Sequence, residues 1–220
     1  VSIVTLTWDN GILTRAWQAK EKTEEAQQDE LRELTIVEAN THLGEYEYED
    51  PSGSKIKIPA KCAVSQVEKE NTFADGLVII DVNGNEWVWI EVPKSIYITA
   101  QSNTDYENIE KDMQDYTNKY KGPYSYTDTW YSEAQHGFAS AEEYKNHKNA
   151  MLKSIYENGG FYIGRYEVGS FDNPVKANDN KGRKAVIQKG AYPYNYVTCK
   201  QAQELSESFT VGGKTSSLMF

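Results

Sequence analysis

Cysteine and histidine are scarce in this chain. Only Cys62 and Cys199 occur among its 220 residues, too few for a disulfide scaffold and without C-x-x-C spacing. They read as two buried small residues, with a single disulfide or a reactive thiol as the alternatives. His42, His136 and His147 are scattered without an H-x-x-x-H pair, so spacing points to no zinc site. Calcium held by loop oxygens stays open as a cofactor. No stretch approaches the ~20 apolar residues of a membrane-spanning helix. Basic residues are in deficit, 23 Lys and Arg against 33 Asp and Glu, for a net charge of -10. That charge repels a phosphate backbone, which disfavours nucleic acid as a partner. Walker A, G-x-G-x-x-G and G-x-S-x-G patterns are all missing, so nucleotide-binding and serine-triad readings find no support.

What the chain has in quantity is tyrosine, 16 residues within an aromatic share of 12%. Tyrosine suits half-buried strands and hydrogen-bonding recognition surfaces alike. At 25.0 kDa there is room for one ordinary domain and an extension. Residues 11–43, "GILTRAWQAKEKTEEAQQDELRELTIVEANTHL", are rich in Ala, Glu, Gln and Lys and predict a long helix with a thin apolar stripe. The text before it, "VSIVTLTW", reads as the stump of a longer apolar segment. Either this helix is a stem or it lies on the domain.

Strand signals begin at residue 46. "YEYE" and "SKIKI" flank "DPSG" and predict a hairpin over 46–58. "GLVIID" and "EWVWIEV" meet at Asn83-Gly84, the pair best suited to a type I′ turn. Asp81, Asn83 and Asn85 resemble the start of an EF-hand loop, but Glu86 and Val92 occupy positions that need Gly and Glu. A helix is expected over 104–121 behind a Thr104/Glu107 capping box, and a second from the Ser140/Glu143 box to Asn158-Gly159. Between them runs the aromatic loop "YSYTDTWYSEAQHGF". "GGFYIGRYEVG", residues 159–169, reads as a strand. A polar loop, a short strand "AVIQ" and a helix capped by Thr198 with Gln201 complete the pattern. Hairpins mixed with isolated helices, without regular strand-helix alternation, make the class α+β.

Several of these pieces carry a resemblance. Phe161, Ile163, Tyr166, Glu167 and Val168 match an "F-x-I-x-x-Y-E-V-T" strand, with Gly169 in the Thr place. Pro193, Val197 and Ala202 match "P-V-x-x-V-S-W-x-x-A", with Thr198 for Ser and Cys199 for Trp. Over residues 56–220 the chain thereby resembles the formylglycine-generating enzyme, or sulfatase-modifying factor, family. The resemblance implies an irregular α+β domain of C-type-lectin-like fold over 44–220, truncated at its C-terminal end. It also implies a central strand beginning at Phe161, with Phe161 and Ile163 facing one core layer, Tyr166 and Glu167 pinning loops, and Glu167 buried among donors. The family's oxidation uses a copper-binding cysteine pair that is not found here. Residues 1–43 are similar to the stem of type IV pilin-like proteins of Gram-positive bacterial surfaces, which implies a membrane link only through a missing N-terminal segment.

Together these features lead to an expected extracellular, cell-surface or pilus-displayed binding and adhesion module without catalysis. Its ligand would be a glycan or protein, engaged by Tyr124, Tyr126, Trp130 and Tyr131 unless those rings cover the domain's own core. The alternatives are a formylglycine-generating oxidase whose cysteines lie beyond this chain, and a structural filament subunit that self-assembles through the N-terminal helix.

Overall fold

The computed structural model describes residues 6–121, 137–172 and 184–218. The fold is α+β, with a long N-terminal helix and small antiparallel sheets. Its centre is a four-stranded sheet of β3 (Cys62–Val64), β4 (Val78–Asp81), β5 (Glu86–Glu91) and β6 (Gly160–Gly164), in that spatial order. Alternation along the strands assigns the two faces. Leu77, Ile79, Trp87 and Cys62 join Ile56, Ile58, Ile187 and Phe209 in the main core. Each fully buried aliphatic side chain there contributes about 1.5–3 kcal/mol. The opposite face carries Glu86 and Arg165. Helix α1 (Leu6–Thr41) packs on β3 and β4 through its last turns, where Thr35 and Ala39 are fully buried.

The hairpin of β1 (Tyr46–Glu49) and β2 (Lys55–Ile58) forms as expected and covers the core face. Its turn is gathered by buried Asp50, which accepts from the Ser52 and Ser54 amides and from the Phe73 amide. The β4–β5 hairpin also forms, but its turn is not type I′. Asn83 keeps negative φ and only Gly84 is left-handed, at 80°. Asp81 pairs with Asn85 and its carbonyl accepts from the Gly84 amide, a three-residue loop with a glycine bulge. The Asp81 carboxylate stabilises that geometry by accepting from the Asn83 and Asn85 amides at 2.8 and 3.1 Å. The two-residue turn with both φ positive occurs instead at Gly212–Gly213, between β9 (Thr210–Val211) and β10 (Lys214–Thr215).

Helix α2 (Tyr106–Lys121) starts later than Thr104, which sits in the preceding turn with its amide on Ser102 Oγ, so the expected Thr104/Glu107 box does not form. Ile109 is fully buried in a small satellite core with Ala100 and Leu152. In α3 (Ala141–Asn158), Ser140 caps the Glu143 amide, while the Glu143 carboxylate reaches one residue further back, to Ala139. Gly159, left-handed at 74°, ends that helix as predicted. The box of Thr198 and Gln201 opens α4 (Cys199–Glu207) in full. "AVIQ" is not a strand: Val186 makes a single bridge to Gly169, and Ile187 is instead held to the β4–β5 turn by the Asn85 side chain at 2.9 Å. Gly169 and Ser170 (β7) pair with Tyr192 and Pro193 (β8). A Cβ at position 169 would stand 2.5 Å from the Tyr192 carbonyl oxygen, which explains the glycine there.

The expected central ribbon at Phe161 is overturned. Among the described residues β6 lies at the edge of the sheet, hydrogen-bonded to β5 alone. Tyr162, not Phe161 or Ile163, faces the main core. Phe161 and Ile163 form a half-open row opposite Ile90 and Val88, with Ile90 38% and Ile163 39% exposed. Glu167 is exposed rather than buried. The strand is rich in large residues because both of its faces find partners, one in the core and one in an open cleft. A neighbouring strand on each side is not needed for that.

Candidate functional site

Helix α1 and the sheet are joined by four charges. Arg32 of α1 stands 2.9 Å from Glu70 and 3.3 Å from Glu86, and Arg165, just past β6, is 2.8 Å from each of the same two carboxylates. Glu70 and Glu86 are 8% and 3% exposed. Glu70 also accepts from Ser65 Oγ at 2.7 Å. Burial works most strongly against the Arg165 charge, but the bond to Glu70 together with the charges of Glu70, Tyr166 and Glu86 outweighs it and raises the guanidinium's pKa. Both carboxylates are fully engaged, so the cluster acts as a fastening. Arg165 therefore explains the mixed character of "GGFYIGRYEVG": it neutralises charge brought in by β5 and by the 65–70 loop.

Ahead of that fastening α1 lies in solvent. Every residue from Thr14 to Glu30 is exposed, a length of about 25 Å at 1.5 Å per residue. Among the described residues, an ion pair joins this stretch to the domain through solvent-exposed side chains, Lys189 with Glu25 at 2.7 Å. Trp17 is 68% exposed, with the Lys20 ammonium 5.5 Å from its ring.

A cleft of about 710 Å³ opens beside β6, a volume in the range of ordinary ligand sites. Its walls are Lys55 and Lys57 of β2, Gly160 and Tyr162 of β6, and Lys214 and Thr215 of β10. The turn chemistry described above positions these walls: Asp50 shapes the β1–β2 hairpin, Gly159 directs α3 into β6, and Gly212–Gly213 folds β10 back. Trp89 lies on the floor against Tyr162, with ring centroids 5.0 Å apart. Burial drives the Tyr162 phenol pKa far up, so its hydroxyl stays protonated and donates to the Lys57 carbonyl at 3.1 Å. Lys55 is held by Glu47 and Glu49, and Lys57 by Glu45. Among the described residues, Lys214 has no ion-pair partner.

A second, larger cleft of about 1080 Å³ lies on the other side of β6, with Ile90, Met113, Met151, Phe161 and Ile163 in its walls. The expected ligand residues Tyr124, Tyr126, Trp130 and Tyr131 lie outside the described residues. Cys62 and Cys199 are both free. Burial, reinforced by Asp81, pushes the Cys62 thiol up to about 12, so it stays protonated and unreactive at neutral pH. Among the described residues no group of three or more His, Cys, Asp and Glu side chains is placed to hold a metal ion.

Neither the charge cluster nor the cleft is anticipated by the sequence reading. The signal for the first is a charged residue at an inward strand position, Glu86 before "WVWI" and Arg165 after "FYIG". The signal for the second is Gly212-Gly213 between "TV" and "KT". Compared with protein-family models, curated proteins and solved structures, the chain matches none of them.

Proposed function

We propose that the chain is a non-catalytic binding module, displayed on a helical stem at a cell surface or on a pilus-like filament. The domain is taken as lectin-like on its motifs, and its ligand as a glycan or protein. The observation that carries this reading is the stem itself: a helix exposed from Thr14 to Glu30 runs into turns clamped to the sheet by buried charges. Such a helix holds a domain away from whatever anchors it. The cleft beside β6 supplies a ligand-sized site on that domain. Full-length protein is expected to bind members of a glycan or extracellular-protein array. Lys214→Glu tests the cleft and Trp130→Ala with Tyr131→Ala tests the aromatic loop, each with its thermal melt as a folding control. No binding partner on either array would remove this reading.

The exposed helix also favours a second reading, a filament subunit assembling through α1. Filaments of the full-length protein in electron micrographs would support it; a strict monomer would count against it.

A further inference from the structure

We propose that the cleft beside β6 is a strand-addition site, in which an extended segment of a partner polypeptide pairs with the free edge of β6. The proposal rests on the binding-module reading and names its ligand class. Antiparallel pairing alternates along a strand. The Arg165 amide donates to the Glu86 carbonyl and the Val92 amide to the Gly159 carbonyl, both at 2.9 Å. Residues 159, 161, 163 and 165 therefore turn their peptide groups towards β5. Gly160, Tyr162 and Gly164 turn theirs outward, and none of the three has a backbone bond on that side.

The same counting applies to the first hairpin. The Asp50 amide donates to the Ser54 carbonyl, which turns the peptide groups of Lys55 and Lys57 outward on β2. The Lys57 carbonyl is the one reached by the Tyr162 hydroxyl. Among the described residues the cleft thus lies between two unpaired strand edges, with β10, paired to β9, as its third wall.

A row of free N–H and C=O groups is a template for another strand. Two of the three outward positions on β6 are glycines whose side-chain space is filled by Trp89 and Ile187, so Tyr162 is the one side chain among them. A saccharide has no donor and acceptor row at the two-residue repeat of about 6.8 Å that these groups present; a peptide has. Lys214 at the cleft wall selects a guest with an acidic side chain. A second copy is the poorer occupant, because each chain carries a net charge of -10.

The test pans a phage-displayed random-peptide library against the full chain. Amide hydrogen exchange is then followed by NMR with a synthetic peptide of an enriched sequence. Enriched peptides are expected to alternate β-branched or aromatic residues and to carry an acidic side chain. Bound peptide should slow exchange at Gly160, Tyr162 and Gly164 by at least about tenfold and leave Phe161 and Ile163, already paired with β5, unchanged. Lys214→Glu should weaken binding about tenfold, the loss of one charge-assisted contact. Failure to enrich any peptide, or protection away from the edge, overturns the proposal. Edge protection that grows with protein concentration in the absence of peptide assigns the site to a second copy and also overturns it. A saccharide that perturbs Trp89 and Tyr162 while no peptide protects the edge leaves the binding-module reading standing and removes this one; absence of both ligands removes both.

Discussion

Replacing Arg32 by Met tests whether charge fastens the stem to the domain. Arg32 is 14% exposed and stands 2.9 and 3.3 Å from two carboxylates that are themselves nearly dry. At an effective dielectric near 20, a charge contact of this kind is worth about 4 kcal/mol. Two such contacts do not simply add, because the guanidinium's desolvation and its repulsion from Arg165 offset much of the gain. Removing one member of a buried ionic group costs about 3–5 kcal/mol. Arg165 remains 2.8 Å from both Glu70 and Glu86, which places the loss at the lower end, about 3 kcal/mol. Methionine keeps most of the aliphatic stem, so the change reports charge rather than packing. Urea unfolding followed by tryptophan fluorescence reads it directly, since Trp87 lies in the main core and Trp89 packs against it. The midpoint should fall at constant slope, and the melting temperature should drop by about 6–12 °C. The loss should persist at high salt, because buried pairs are poorly screened. Adding Glu86→Leu leaves Arg165 and Glu70 as a balanced pair and should recover part of the stability. A cost below about 1 kcal/mol, the value of a surface pair, would refute the buried fastening.

Three further outcomes follow from the same geometry. Gly160→Ala places a Cβ 2.4 Å from the Ile90 carbonyl oxygen and from the Trp89 ring, and should cost about 1–3 kcal/mol in chemical denaturation as overpacking. Asp50 is held below the ordinary carboxylate range first by the Ser52 hydroxyl and then, against burial, by the Phe73, Ser54 and Ser52 amides. Its contribution is therefore complete above the unfolded pKa of about 4 and is lost as pH falls through the lower folded value. Asp50→Asn should lower the melting temperature at neutral pH and flatten the acid limb of a pH series; an unchanged limb would show the carboxylate to be idle. Cys62, with its thiol pushed up to about 12, should resist iodoacetamide at pH 8 in the folded protein and react only on unfolding, as mass spectrometry of the labelled cysteine would show.

Local chemistry was legible in the sequence wherever a bond closes within a few residues. The Thr198–Gln201 box, the Gly159 helix stop and the Pro51–Gly53 turn are each decided by side chains next to the backbone they cap. Locality also misled. Asn83-Gly84 suits a two-residue turn, yet the Asp81 carboxylate collects two amides and stabilises a three-residue loop. Thr104 is a good cap, but it lies in a turn of its own, with its amide bonded to Ser102.

The sequence alone determined the α+β class, the long polar helix and the positions of the main hairpins, because periodicity, capping and turn preference act over a turn or two of chain. Only the tertiary structure decided that β6 lies at an edge, that Arg32 and Arg165 meet Glu70 and Glu86, and that β2, β6 and β10 surround one cleft. Those facts join residues up to more than a hundred positions apart. An apolar strand reads the same in sequence whether one neighbour or two lie beside it, since the pairing groups belong to the backbone that every residue shares.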